Sequence, residues 1–166
     1  MLFFEAREDE QYKVAKVVEK VYDCFVIRSA ELYLNKAEAE AMLDKAEAKQ
    51  TIKTLLNNRF EGGIPDVDGL NEKDLISFIR DERRRELCFE AHRWFDLRRY
   101  AVSSKYPEKK SIRHETYDKN GVLEGDYVLK PYGEDPAWVL PIPGYEIVYN
   151  QGNLVDNPQR VERKLE

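Results

Sequence analysis

RDERRRELCFEAHRWFDLRRY, residues 80–100, places seven arginines and five acidic side chains among large apolar ones. A helix with one solvated face confines its apolar residues to one stripe, and a fully buried helix excludes unpaired charges. Neither pattern describes this stretch. The way its charges are arranged therefore decides the kind of fold to which it belongs.

On an unbroken helix, the charges share two rows with the apolar residues. The first row reads Leu75, Ile79, Glu82, Glu86, Phe89, Arg93, Asp96 and Tyr100, and its neighbour reads Ile76, Arg83, Leu87, Glu90, Trp94 and Leu97. Such charges are buried only where arginines and carboxylates satisfy one another's hydrogen bonds. The sequence predicts a structural charge network, pairing along the helix and with a neighbouring helix hairpin, of Glu82, Arg83, Glu86, Glu90, Arg93 and Asp96.

Two other interpretations of these charges compete with the network. A di-iron carboxylate site uses Glu-x-x-His, but Phe89 stands three residues before His92, so no metal is expected. A solvated salt-bridge face suits Asp81, Arg84 and Arg85, where no apolar residue competes for the position. The inner set shares its row with Phe89, which favours the structural network.

Helical periodicity also marks two shorter segments. One begins at Ser29 and carries small apolar residues on one face, and the other runs from about residue 46 to 60, with Asp44-Lys45 between them. Two helices with a short link predict an antiparallel hairpin. Residues 1–28 fit helix and strand equally well.

Turn-forming residues set the boundary of the charged helix. The glycine-rich segment 61–70 is a loop, and Asn71 stands where an N-cap belongs. One long helix is predicted from there to about Tyr100.

Glycines and prolines dominate the chain beyond Ala101. They predict a loop-rich tail, with a short hairpin near Asn120-Gly121 and an extended segment across 140–144, where two prolines exclude a helix interior or central strand. The expected fold class is mainly α.

Composition restricts the possible functions. Among 166 residues, 27 basic against 32 acidic side chains give a net charge of -5, and no basic stripe is free of acids, so nucleic acid is not an expected partner. Two cysteines and two histidines cannot form a disulfide framework or a zinc cluster, and no cofactor is predicted. The apolar start is too short for a signal peptide, and no run is long enough for a membrane span. We expect a soluble piece excised from a longer protein.

The charged stretch from Ile79 resembles the signature helix of the RagB/SusD family, I-x-x-E-R-x-x-E-L-x-F-E-x-x-R-W-x-D-L-R-R. Ala91 stands where glycine is common in the family. Three further segments resemble family motifs in the family's order: VIRSAELYLNKAEAEAML (26–43), LPIPGYEI (140–147) and NQGNLVDNP (150–158), in which Asp156 replaces a glutamine.

The resemblance implies a SusD-like helical scaffold with a tetratricopeptide-like hairpin. Members of this family are surface-exposed outer-membrane lipoproteins that capture oligosaccharides or peptides and deliver them to a SusC-like TonB-dependent transporter. Residues 1–166 are then a single domain, the C-terminal portion of such a protein, attached to the membrane only through a lipid anchor that is absent from this fragment. The motifs are fold-forming, so the resemblance transfers no binding residue.

Aromatic rings on the tail are the residues expected to hold a sugar. The ligand-binding candidates are Tyr106, Tyr117 and Tyr132, and Tyr127 lies in the same irregular region. The ordinary alternative is that each tyrosine packs its ring on the helices and leaves its hydroxyl wet. We expect Trp94 and Trp138 in the core.

No motif for catalysis occurs in the sequence. The serines lack a G-x-S-x-G frame, no glycine loop cradles phosphate, and glycosidase carboxylate pairs carry no motif that marks them here. The leading hypothesis is non-enzymatic nutrient binding. A structural or adaptor helical domain with no ligand site of its own is the alternative, and an acid-dependent hydrolase is a third.

Overall fold

The computed structural model describes residues 3–6, 12–15 and 27–158. The chain divides into two compact units, residues 1–95 and 96–166. Helices account for most of the regular structure, which confirms the mainly α fold class. The single-domain organisation stays a prediction.

A helix hairpin forms the centre of the first unit. Helix α1 spans Ser29–Met42 and helix α2 spans Glu47–Asn57, and the two are in contact. Between them, Asp44 has a φ of 56°, a left-handed conformation that aspartate tolerates better than most residues. The hairpin core consists of Leu34, Ala37, Ala41, Ala48, Ile52, Leu55 and Leu56. Small residues on α1 let the two helices approach closely, and the predicted hairpin is confirmed.

Helix α3, Glu72–Glu86, packs on α1. The Asn71 side chain accepts a hydrogen bond from the backbone N–H of Asp74 at 3.0 Å, which confirms the predicted N-cap. Leu75, Ile76 and Ile79 are buried on the face toward the hairpin.

The prediction of one helix across 71–100 is wrong. Helix α3 ends at Glu86, a turn follows, and helix α4 spans His92–Ala101. Phe89 and Ala91 have φ angles of 63° and 62°, a conformation that an L-residue cannot adopt inside a right-handed helix. The rows drawn on an unbroken helix therefore stop at the turn, and Phe89 is 68% exposed instead of lying on an inner row.

The undecided stretch 1–28 contains two short strands. Strand β1, Phe3–Ala6, pairs antiparallel with strand β2, Tyr12–Ala15, with Phe3 opposite Ala15. The predictions for the rest of residues 1–26, including the helix-or-strand alternatives there, lie outside the described part of the chain.

The second unit holds the predicted hairpin. Strand β3, Ile112–Tyr117, pairs antiparallel with strand β4, Leu123–Leu129, and the register shifts at Thr116 and Tyr117. The Asp118 carboxylate closes the tip by accepting the backbone N–H groups of Asn120 and Val122, each at 2.8 Å. These hydrogen bonds to the ionised carboxylate hold the pKa of Asp118 below its usual range.

After β4 the chain forms a 3-10 turn, Pro136–Trp138, and a short helix α5, Gly144–Tyr149. The extended segment predicted for 140–144 ends at Pro143, because Gly144 begins α5. We call residues 140–157 the closing loop, since hydrogen bonds join its two ends. The Asp156 carboxylate accepts the N–H of Ile142 at 2.8 Å, and the Asn157 amide donates to the carbonyl of Leu140 at 2.7 Å.

The left-handed turn generates a stability prediction. Changing Ala91→Gly should raise the free energy of unfolding by up to about 1 kcal/mol, because glycine adopts a positive φ without the penalty of a Cβ, and part of the gain is lost to a freer unfolded chain. Urea unfolding followed by circular dichroism measures the change.

The matched control is Ala39→Gly on the exposed side of α1, where the same substitution should cost about 1 kcal/mol. Equal destabilisation by both substitutions would contradict the strain assigned to the turn.

Candidate functional site

Arg28, just before α1, contacts the end of α3 and the turn that follows it. Its guanidinium donates to the Glu86 carboxylate at 2.5 Å, to the Glu86 carbonyl oxygen at 2.5 Å and to the Glu90 carboxylate at 3.0 Å. The carbonyl is one of the groups that a helix C-terminus leaves without an intrahelical partner. One side chain therefore caps α3 and fixes the turn.

Glu82 lies one helical turn earlier and is buried. Its carboxylate accepts hydrogen bonds from Arg85 at 2.7 and 3.0 Å and from Arg59 at 3.3 Å, and Arg59 also pairs with Glu86. Arg59 directly follows the hairpin. The carboxylates of α3 thus face arginines of the hairpin, which replace the water that burial removes.

A second set of pairs joins α3 to α1. Arg83 donates to Asn35 at 2.7 Å and pairs with Glu31 at 3.5 Å, and the buried Arg80 donates to the buried Glu38 at 3.3 Å. Arg80 and Arg83 each have an acceptor supplied by α1, and in the Arg80–Glu38 pair both side chains are buried, so this pair is a low-dielectric contact.

Arg93 and Asp96, the remaining two members of the predicted network, have different surroundings from the other four. In the described part of the chain, Arg93 makes no ion pair or hydrogen bond. Asp96 belongs to the second unit, where it pairs with Arg99 at 3.2 Å. The break at residues 87–91 explains both, since α4 does not continue the rows of α3. The structural role of the network stays a prediction.

An open groove of about 400 Å³ lies in the second unit, beside the 3-10 turn. Its lining residues are Tyr132, Gly133, Glu134, Asp135, Pro136, Trp138 and Val139. We call this the Tyr132 groove. It combines aromatic surface with the exposed Glu134 carboxylate, two features that bind the apolar face and the hydroxyl groups of a sugar.

Hydrogen bonds make the wall of the groove rigid. Asp135 accepts from the backbone N–H groups of Lys130 and Ala137, each at 3.0 Å, and the Trp138 indole N–H donates to the Lys130 carbonyl at 2.7 Å. Trp138 is 2% exposed, as expected for a core residue. Its ring meets that of Tyr132 edge-on, with centroids 5.9 Å apart.

The candidate tyrosines have different surroundings. Tyr132 lines the groove and has the Arg98 guanidinium 5.3 Å from its ring centre, whereas the Lys105 ammonium lies 5.9 Å from the ring of Tyr106, which the lining of the groove does not include. Tyr117 lies on β3, where its hydroxyl donates to the Glu115 carboxylate. The structure therefore places one of the three candidates in the groove.

Sequence reasoning missed Arg28, Arg59 and Arg98. The RagB/SusD-like motif that begins at Val26 contains Arg28, but a motif does not show which residue its arginine contacts. The dipeptide Asp135-Pro136 is a turn signal that points to the groove wall. Trp94 is half-buried, less enclosed than a core residue.

Residues 3–6, 12–15 and 27–158 contain neither a candidate metal centre nor a candidate membrane span. No group of three or more His, Cys, Asp or Glu side chains there is arranged to hold a metal ion. Within the same residues, no helix is both long and apolar enough to cross a membrane.

These features define a class of protein: a mainly helical scaffold that contains arginine–carboxylate pairs, with an open groove beside an aromatic ring on its second unit. The sequence model of the SusD family matches residues 10–159, so the chain belongs to that family. The recognition made from the signature helix is confirmed.

Relatives agree with this assignment. SusD-like protein P2 of Formosa agariphila is 28% identical over 142 residues, which cover 80% of this chain and 25% of P2. SusD-like protein P38 of the same organism is 40% identical over 79 residues, 43% of this chain and 16% of P38. The chain thus spans about a quarter of the length of P2 and less of P38.

Solved structures show the same fold. A SusD-like protein from Bacteroides fragilis matches with a TM-score of 0.50 and 27% identity, over 81% of this chain and 25% of that one. A SusD-like carbohydrate binding protein from Bacteroides vulgatus matches with a TM-score of 0.54 and 22% identity, over 92% of this chain and 37% of that one.

The charge contacts generate a stability prediction. Changing Glu86→Ala should lower the free energy of unfolding by about 3 kcal/mol, because Arg28 and Arg59 lose the carboxylate that both contact. Changing the exposed Arg84→Ala should cost at most about 1 kcal/mol. Arg93→Ala, although predicted in the network, should behave like Arg84→Ala. Urea midpoints that coincide for all three variants would show the network to be solvated.

The Tyr117–Glu115 contact generates a pH prediction. The Glu115 carboxylate accepts a hydrogen bond from the phenolic O–H and repels the phenolate, which raises the pKa of Tyr117 above its usual value. The contribution of this hydrogen bond to the stability of the folded protein is complete below a pH of about 10. It is lost as the pH rises through the higher pKa that Tyr117 has in the folded state.

Ultraviolet titration of the protein, from which the curve of the Tyr117→Phe variant is subtracted, isolates this one tyrosine among ten. Changing Glu115→Gln should lower the pKa of Tyr117 toward that of a free tyrosine. An unchanged titration curve would show that the contact does not form in solution.

Proposed function

We propose that this chain is the C-terminal portion of a SusD-like lipoprotein that captures oligosaccharide at the outer-membrane surface and passes it, uncleaved, to a SusC-like TonB-dependent transporter. The observation that carries the proposal is the family match across residues 10–159. The order of the recognised motifs, which ends in NQGNLVDNP at residue 158, supports the C-terminal position. The name of the Bacteroides vulgatus protein supports carbohydrate as the ligand class.

Within this chain, the Tyr132 groove is the place proposed for sugar. A pyranose ring has an apolar face that stacks on an aromatic ring and a rim of hydroxyl groups that donate to carboxylates. Tyr132 supplies the ring and Glu134, whose side chain is 54% exposed, supplies the acceptor. Because the backbone around Asp135 is fixed by hydrogen bonds, these groups need little reordering when a ligand binds.

One observation favours the alternative, a structural piece without a ligand site of its own. Charged side chains of the signature helix, such as Glu82 and Arg83, form hydrogen bonds within the protein. If the protein binds none of the glycans and peptides tested, a structural role explains the function of this chain better.

Calorimetry with a panel of oligosaccharides tests the proposal. We expect weak affinity for at least one glycan and a loss of at least tenfold in Tyr132→Ala, because the variant lacks the aromatic ring that the apolar face of the sugar covers, and tenfold in affinity corresponds to about 1.4 kcal/mol. Tyr106→Ala and Tyr117→Ala should weaken binding less, since neither side chain lines the groove. Tyr33→Ala, an exposed tyrosine on α1, is the matched control and should bind as the unchanged protein does.

The pH dependence of binding separates capture from catalysis. Stacking on the Tyr132 ring requires no titratable group, so the stacking part of the affinity should stay constant between about pH 5 and 8, whereas acid–base hydrolysis would follow a bell-shaped profile. Release of reducing ends from the bound glycan would place the protein among hydrolases. Binding that survives Tyr132→Ala but fails in Glu134→Gln would move the site away from the ring.

A further inference from the structure

Arg98 lies beside the Tyr132 groove without an acidic partner. Its guanidinium is 5.3 Å from the centre of the Tyr132 ring, and within the part of the chain that the structure describes it makes no ion pair and no hydrogen bond. The side chain is half-buried, and Arg98 and the lining of the groove belong to the same unit. The five N–H donors of this guanidinium are therefore available to a ligand that contacts the ring.

Other arginines of the signature stretch have carboxylate partners. Arg80 pairs with Glu38, and Arg99, the neighbour of Arg98, pairs with Asp96. Partial burial withdraws a charged group from water, and attraction to an aromatic ring replaces only part of the lost hydration. An anionic group of a ligand is the partner that the position of Arg98 suits.

The charges around the groove also favour an anionic ligand. The Asp135 carboxylate is buried and accepts two backbone N–H groups of the groove wall, so it is not presented to a ligand. Glu134 is the exposed acid of the lining, and the Lys109 ammonium lies 4.0 Å from its carboxylate. Because Lys109 offsets the charge of Glu134, the positive charge of Arg98 remains uncompensated.

The shape of a guanidinium indicates which anion fits best. Its planar fork of donors binds a planar carboxylate through two parallel N–H···O bonds. A uronic acid carries its carboxylate directly on the pyranose ring, so one sugar unit offers an apolar face to Tyr132 and a carboxylate to Arg98. We propose that the Tyr132 groove selects acidic oligosaccharides that contain uronic acid, and that Arg98 determines this specificity. The selection rests on the proposed function, because it names the class of sugar that the same groove holds.

Calorimetry with charged and neutral forms of the same sugars tests the selection. Tetramers of galacturonate, mannuronate and glucuronate are each compared with their methyl esters, which keep the rings and linkages and lose the charge. We expect at least one uronate to bind the 166-residue chain about tenfold more tightly than its ester, because the ester cannot form the charged bidentate contact. Raising the salt concentration from about 0.05 to 0.3 M should weaken the binding of the charged form alone.

Variants of Arg98 separate ligand recognition from a purely structural role. In Arg98→Gln, the affinity for the preferred uronate should fall about tenfold, while the affinity for its methyl ester should change by less than about twofold. Arg98→Lys keeps the charge without the planar fork and should retain part of the preference. Arg84→Gln, at an exposed arginine of α3, is the matched control and should bind both forms as the unchanged protein does. The ester comparison is made on the unchanged protein, so it does not depend on how Arg98→Gln folds.

Other outcomes would contradict the selection for uronic acid. Equal affinity for charged and esterified sugars, with binding still lost in Tyr132→Ala, rejects the selection and keeps the proposed function. Equal losses for both forms in Arg98→Gln would make Arg98 a support of the Tyr132 ring instead of a contact of the ligand. Tighter binding of a sulfated carrageenan tetramer than of every uronate would replace the carboxylate with a sulfate ester. If neither charged nor neutral glycans bind, the proposed function fails and the selection fails with it.

Discussion

We expect the first unit to depend most on the contact that the Arg28 guanidinium makes. It donates to a backbone carbonyl and to two carboxylates, those of Glu86 and Glu90, so it satisfies the end of α3 and the following turn together. Arginine suits this position because its planar fork of donors keeps its charge and meets several acceptors at once. A lysine there offers a single point charge without the planar fork of donors.

Around that contact, burial and pairing constrain each other. Glu82 is fully enclosed, and an enclosed carboxylate is tolerated only with donors in place on both sides, which Arg59 and Arg85 provide. The hairpin and α3 are therefore joined by apolar packing at Leu34 and Ile76 and by charge pairing nearby. Pairing between α3 and the hairpin region favours one register of α3, because a shift by one residue moves each carboxylate of α3 away from its arginine on the other side.

Sequence periodicity was sufficient for the helices and insufficient for the break between them. Local signals determine the N-cap at Asn71 and the hairpin near Asn120-Gly121, since the contacting groups are neighbours in the chain. The turn at residues 87–91 is different. Ala91 has a positive φ although it is not a glycine, so the sequence contains no turn signal at this position.

The partners of the charged side chains also could not be predicted from the sequence. Glu86 meets an arginine 58 residues away, and no periodic pattern encodes that distance. The Tyr132 groove likewise depends on how Trp138 and Arg98 meet the ring, which only the folded backbone determines.

The same separation of 58 residues has a consequence for the order of folding. Helices α1 and α2 meet across a four-residue link, so we expect them to form early, whereas the Arg28 contact requires the closure of a long chain segment and should add stability only after α3 has docked. Its stabilisation therefore falls mainly on the native side of the folding barrier. The Arg28 contact should therefore slow the unfolding of the first unit far more than it speeds the folding of that unit.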